Sequence, residues 1–162
     1  GTGDNYVGLM KGVILGRAPQ AGIIDLCHTV PAQDIVHAAY QIATSFHYFP
    51  EGTLHLVVVD PDVGSDREII LLSAHGHYFL APDNGVLSFV LRGADDAEAF
   101  TADRPDLYLD PVSHTFHGRD IFAPLAAFLV NGAPPAELGP RRDPAGLKRV
   151  EDPPLSLDEK TK

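Results

Sequence analysis

Leu54-His55-Leu56-Val57-Val58-Val59-Asp60-Pro61-Asp62-Val63-Gly64 is the stretch on which the fold turns. Its first six residues are β-branched or apolar on both alternating faces, apart from His55, which predicts a strand buried on both sides. Such a strand implies a largely parallel sheet covered by helices. Asp60 follows the strand directly, and Pro61 and Gly64 then turn the chain. In an open α/β sheet, ligands bind beyond the carboxyl ends of the strands. Asp60 is thus a candidate site residue by position, although a carboxylate that merely caps a turn would stand there too.

Helices are predicted on either side. Tyr6, Val7, Met10, Val13 and Ile14 recur at helical spacing after Asp4 or Asn5, with Gly16 as the stop and Pro19 beyond it. Ile35, Ala38, Ala39, Ile42 and Phe46 line one face of a second helix over 34–46. A third runs from about Arg119 to Val130 and stops at Gly132. Ile23 to Leu26 reads as a short buried strand, and Ile69 to Leu72 and Tyr78 to Leu80 as two strands joined through His75-Gly76-His77. Pro82-Asp83-Asn84-Gly85 is a turn before a short helix from Val86 to Leu91, and Ala97 to Phe100 is a further strand. Strands alternating with helices make the chain α/β, a three-layer sandwich with a central sheet.

At 162 residues the chain has the size of one domain. Twelve Lys and Arg against 22 Asp and Glu leave a net charge of −10, a surface that repels nucleic acid. No apolar run approaches the roughly 18 residues of a membrane span, and no signal-peptide pattern is present. The single cysteine, Cys27, cannot form an internal disulfide and fits a cytoplasmic setting. No Gly-x-Gly-x-x-Gly, P-loop or Gly-x-Ser-x-Gly element supports a dinucleotide, nucleotide triphosphate or serine-hydrolase function. The eight histidines form no closed ligand set with a cysteine pair, so no metal is expected. The chain opens on Gly1-Thr2-Gly3-Asp4 and closes on a polar stretch after Pro153-Pro154, ends that read as those of a fragment.

Two further groups join Asp60 as candidates. Arg67 lies seven residues on, within reach if the turn folds back, although an ordinary surface ion pair would look the same. His117 sits in Thr115-Phe116-His117-Gly118-Arg119-Asp120, where Gly118 permits close backbone approach and Asp120 suits a helix's first turn.

Taken in order, Asp4-Asn5-Tyr6-Val7-Gly8 with Met10-Lys11-Gly12-Val13-Ile14, Val59-Asp60-Pro61-Asp62-Val63-Gly64, Pro82-Asp83-Asn84-Gly85 and Thr115 to Asp120 resemble the S-adenosyl-L-methionine hydroxide adenosyltransferases. These are relatives of the enzymes that make fluorinated or chlorinated adenosine. The likeness runs from Gly1 to about Val150. It implies hydrolysis of S-adenosylmethionine to adenosine and methionine by attack of water or hydroxide on the ribose C5′, with no cofactor. It also implies a homotrimer. The family's water-handling Asp, Arg and His map onto Asp60, Arg67 and His117, with either Asp60 or His117 as the base. Asp4 and Tyr6 map to the methionine side, and Thr115 and Phe116 to the sugar and reacting centre. Gln33 stands where halogenating relatives place an aromatic.

The resemblance also implies that residues 1–150 form the family's amino-terminal α/β domain without its first strand and ribose-binding Asp. Residues 151–162 would lead as a linker or tail toward a β-rich carboxyl-terminal domain that this chain does not contain. Relatives more often carry Gly at the Asp62 place. The alternatives are a halide adenosyltransferase, which a carboxylate at Asp60 disfavours by repelling the anion, a non-catalytic nucleoside-binding module and a metal-dependent hydrolase.

Overall fold

The computed structural model describes residues 3–151. A five-stranded sheet carries the strands β1 (Leu54–Leu56), β2 (Ile69–Ala74), β3 (His77–Pro82), β4 (Glu98–Thr101) and β5 (Arg141–Arg142) in the order β1-β3-β2-β4-β5. Helices α1 (Tyr6–Arg17) and α3 (Ala123–Val130) cover one face, where Ile14, Leu71, Leu80, Phe122 and Leu125 are buried together. Helix α2 (Ile35–Ser45) and the turns after β3 cover the other, where Ala38 and Ile42 meet Ile70, Leu72, Phe79, Val86 and Val90. The α/β sandwich expected from the sequence is therefore present.

The decisive strand behaves as its alternation requires. Leu54, Leu56 and Val58 pack toward α1 and α3, and Val57 and Val59 toward α2. Its regular ladder with β3 is parallel but covers only Leu54 to Leu56, and Val57 N–H adds a bond to Leu80 O at 3.0 Å. The sheet as a whole is mixed rather than largely parallel: β2 pairs antiparallel with both β3 and β4, and β4 antiparallel with β5. Burial on both faces comes from the helices, whatever the strand direction. The direction of β2 against β3 is set by the tight turn at His75 and Gly76, with φ of 53° and 74°.

Other boundaries moved. Gly16 lies inside α1, which continues to Arg17 and ends at Ala18 before Pro19. Residues 23–26 form no strand: Ile23 packs on the α1–α3 core, but Ile24 is 74% exposed, and Asp25 pairs with Lys11 at 2.6 Å and His28 at 2.7 Å. An apolar run has strand propensity, but a strand needs a ladder partner, and none lies beside it among the described residues. The predicted helix over 86–91 is a run of hydrogen-bonded turns. The third helix begins one residue earlier than expected with a π-helical turn, Gly118–Phe122, and only then becomes α3, with Gly132 at φ 94° after its end. The linker or tail expected beyond residue 151 lies outside the described residues.

Two packing details have consequences. Gly118 is buried under α1 so closely that a Cβ there would stand 1.9 Å from Tyr6 Oη and 3.0 Å from Met10 Sδ. At the opposite end of the sheet from Asp60, Phe46 packs edge-on to His55, His77 and Phe79. There His55 Nε2 lies 3.3 Å from His77 Nδ1, with His55 only 7% and His77 only 4% exposed. Burial, reinforced by the neighbouring His77, pushes the His55 pKa down to about 4, and burial also lowers that of His77.

The unfolded chain binds a proton at His55 near its ordinary 6.5 while the folded chain resists it down to about 4. The contribution of this group to stability is therefore full above pH 6.5 and is lost as pH drops toward 4, on the order of 3 kcal/mol. Denaturant unfolding across that range should show the loss, and His55→Phe should flatten it. Gly118→Ala should destabilise the protein by about 1–3 kcal/mol, read in thermal melts. The penalty should shrink in a Tyr6→Leu background, where the colliding ring is gone.

Candidate active site

Beyond β1 the chain turns back between Asp60 and Arg67, seven residues apart. Val63 N–H donates to Asp60 O at 3.4 Å and Ser65 N–H to Asp62 O at 3.0 Å. Gly64 takes φ 84°, and a Cβ there would lie 2.8 Å from His114 O, so the turn presses against the loop that leads to His117. Asp62 is exposed on this turn. Arg67 then returns just before β2.

The three predicted residues meet. Arg67 Nε donates to Asp60 Oδ2 at 2.7 Å, Arg67 Nη2 donates to the same oxygen, and Nη2 also lies 3.1 Å from His117 Nδ1. The side chains of Asp60 and Arg67 are each 4% exposed, so this is no surface ion pair. Phe122 closes one side, its ring centroid 5.9 Å from Arg67 Cζ. Burial, followed by the adjacent Arg67 guanidinium, holds the His117 pKa below its ordinary 6.5. A guanidinium has no acceptor, so His117 Nδ1 must accept from Nη2, which places the proton of the neutral ring on Nε2. The other carboxylate oxygen, Asp60 Oδ1, is buried and has no hydrogen-bond partner among the described residues. A carboxylate oxygen in that state is a strong acceptor with its hydrogen-bonding capacity unused.

The loop carrying His117 is held from both ends. Asp120, 1% exposed, accepts from Ser113 N–H at 2.8 Å and from Arg119 Nε at 2.6 Å. The Arg119 hydrogen bonds hold its carboxyl below the usual carboxylate range, against the opposing effect of burial. Arg119 Cζ also lies 5.1 Å over the Phe116 ring, and Phe116 in turn meets Tyr6 at 5.9 Å between centroids.

The remaining sequence candidates differ in placement. Tyr6 is half-buried, turned onto Gly118 and Phe116 beside the trio, and burial raises its phenol pKa. Phe116 is 40% exposed and Thr115 is exposed. Asp4 uses Oδ1 to accept from Tyr6 N–H at 3.0 Å, which anchors the start of α1. Gln33 is exposed before α2 with φ 68°, and no hydrogen bond joins it to the trio. Among the described residues, no group of three or more His, Cys, Asp or Glu side chains is arranged to hold a metal. No helix there is long and apolar enough to cross a membrane.

Sequence reasoning passed over two residues that support the site. By sequence Asp120 is an ordinary first-turn acid and Asn84 a turn residue. The Asp-Asn-Gly run is the signal for Asn84, since Asn in a turn commonly bonds nearby backbone; its distant partner, the Val59 carbonyl to which Nδ2 donates at 2.8 Å, is not legible in the sequence.

Comparison with known proteins agrees with this architecture. The "(R)-S-adenosyl-L-methionine hydrolase" of Salinispora arenicola (strain CNS-205) is 41% identical over 156 residues, 94% of this chain and 59% of that protein. A "Fluorinase" of Nocardia brasiliensis (strain ATCC 700358 / HUJEG-1) is more distant, 29% identical over 98% of this chain and 61% of its own length. The crystal structure of an uncharacterized conserved protein from Thermotoga maritima superposes with a TM-score of 0.89 at 36% identity, over 94% of this chain and 59% of that one. The chain thus spans about three-fifths of the relatives it matches. The family model for the SAM hydroxide adenosyltransferase N-terminal domain matches residues 1–139. This chain belongs to the SAM hydroxide adenosyltransferase N-terminal domain family.

Proposed function

We propose that the protein carrying this chain hydrolyses S-adenosyl-L-methionine to adenosine and L-methionine, with Asp60, Arg67 and His117 as its catalytic residues. The observation that carries the proposal is the buried, unpartnered Oδ1 of Asp60 beside the Arg67–His117 pair. Similarity to proteins named (R)-S-adenosyl-L-methionine hydrolase at about two-fifths identity supports it.

The chemistry follows from the charges. Asp60 Oδ1 accepts a hydrogen bond from water and aims its lone pair at the ribose C5′. The C5′–O bond forms as the C5′–S bond breaks, and the electron pair of that bond leaves on sulfur as the neutral thioether of methionine. No acid is needed on the leaving side. The attacking oxygen becomes an alkyloxonium, itself a strong acid, so even an ion-paired carboxylate suffices to take its proton. Of the two candidate bases this favours Asp60, because the Nδ1 lone pair of His117 is occupied by Arg67. His117 then positions Arg67 through the same Nη2 that reaches Asp60, and the alignment of water with C5′ contributes through orientation.

The same carboxylate oxygen argues against halide as the nucleophile, since an anion placed beside it would be repelled with little screening. Tyr6, Phe116 and Thr115 are assigned to the substrate side of the pocket, Tyr6 and Phe116 lying beside the trio. Asp4 and Gln33 keep the assignments that resemblance supplies, the ammonium of methionine for Asp4. No cofactor enters. The proposal extends to a cytoplasmic homotrimer, supported by the family resemblance and the lone cysteine.

Full-length protein incubated with S-adenosylmethionine in ¹⁸O-labelled water should release adenosine labelled at the 5′ oxygen. Unlabelled adenosine, or a 5′-halogenated product formed in its place when halide is supplied, would overturn the hydrolase assignment. Asp60→Asn should lower kcat by about 10²-fold or more. Because protonated His117 would set donor against donor at Arg67, kcat should be level near neutrality. It should fall as pH drops past the His117 pKa, below 6.5.

A further inference from the structure

We propose that Asn84 is a positioning residue for the reaction, gripping the backbone that aims the Asp60 carboxylate. The proposal rests on the hydrolase function set out above. Val59 is the last residue before Asp60, and its carbonyl lies past the end of the β1 ladder. The group that satisfies it is a side chain 25 residues away: Asn84 Nδ2 donates to Val59 O at 2.8 Å. The opposite end of the amide accepts from Val86 N–H, with Oδ1 at 3.1 Å. These two partners, an acceptor and a donor, fix the amide orientation, since a flipped amide would oppose both.

The same turn also holds the other arm of the site. Asp83 N–H donates to Glu68 O, the residue after Arg67, at 2.9 Å. Two neighbouring turn residues thus grip the carbonyls just outside Asp60 and Arg67, closing the 60–67 loop at its base. The turn is itself held. Lys148 N–H donates to Asp83 Oδ1 at 2.9 Å and Val150 N–H to Ser88 Oγ at 2.8 Å. Gly85 takes φ 97°, and a Cβ there would lie 2.8 Å from Val150 Cγ1. A side-chain amide therefore replaces a strand neighbour at the point where β1 must stop being sheet and start presenting a carboxylate. Small displacements of such a group weaken catalysis steeply.

Asn84→Asp separates this role from turn formation. An aspartate still accepts from Val86 N–H, so the turn persists, but it sets a carboxylate oxygen against the Val59 carbonyl. Asn84→Ala removes both bonds. Steady-state kinetics on the full-length protein should show kcat reduced about 10- to 100-fold in both variants, with KM within about threefold of the parent. NMR titration of His117 in Asn84→Ala should show a displaced midpoint, because Asp60 and Arg67 both act on that ring. Retention of kcat in Asn84→Asp overturns the proposal, as does a kcat loss with the His117 midpoint unmoved in Asn84→Ala. Should the parent protein itself fail to turn over S-adenosylmethionine, the hydrolase assignment falls. The His117 titration, which needs no turnover, then decides whether Asn84 positions this cluster.

Discussion

Burying Asp60 against Arg67 takes two charges out of water, and in a protein interior that desolvation rivals or exceeds the attraction between them. Such a pair persists where its surroundings hold one geometry and satisfy its remaining hydrogen-bonding groups. Both guanidinium nitrogens nearest the carboxylate share Oδ2, and His117 Nδ1 takes a further donor. The surrounding structure answers to this pair: the extension of β1 that runs on to Val59, the turn that brings Arg67 back, the π-helical turn after His117 and the close approach of Gly118 to Tyr6. One oxygen, Asp60 Oδ1, is left over. Its lack of a partner is a cost to folding and an asset to chemistry.

The two ends of the sheet solve the problem of buried titratable groups in opposite ways. At the carboxyl end of β1, charge is kept and matched by an opposite charge. At the amino end, His55 and His77 stay neutral among Phe46 and Phe79, and burial depresses both pKa values. One end is therefore an electrostatic device and the other an aromatic core with polar atoms in it. The four-residue turn Pro82–Gly85, at the far end of β3 from His77, ties the first of these to the segment ending at Val150.

Much of the site was legible because short-range constraints carried it. A strand followed by Asp-Pro-Asp-Val-Gly must turn, and Arg67 lies within reach of Asp60 if that turn folds back, as it does. His117 was legible only through its Phe-His-Gly context, since fifty residues separate it from Arg67. Local patterns mislead where distant neighbours decide the outcome. Ile23 to Leu26 has the composition of a buried strand but no ladder to join, so Ile24 faces solvent. The sheet looked parallel because β1 is covered on both sides, yet the two-residue turn at His75 and Gly76 reverses the chain.

What the sequence by itself determined is the set of elements and the chemical types at the site, because hydrophobic alternation, turn residues and helix caps act over a few residues. Tertiary structure alone decided which lone pairs remain free. The Arg67 hydrogen bonds consume one Asp60 oxygen and spare the other, and the contact between Arg67 and His117 fixes the imidazole tautomer. Asn84 acquires its role only when the β3 turn comes to rest beside Val59. Such assignments depend on distances of a few ångströms between groups far apart in the chain, which no local pattern of residues encodes.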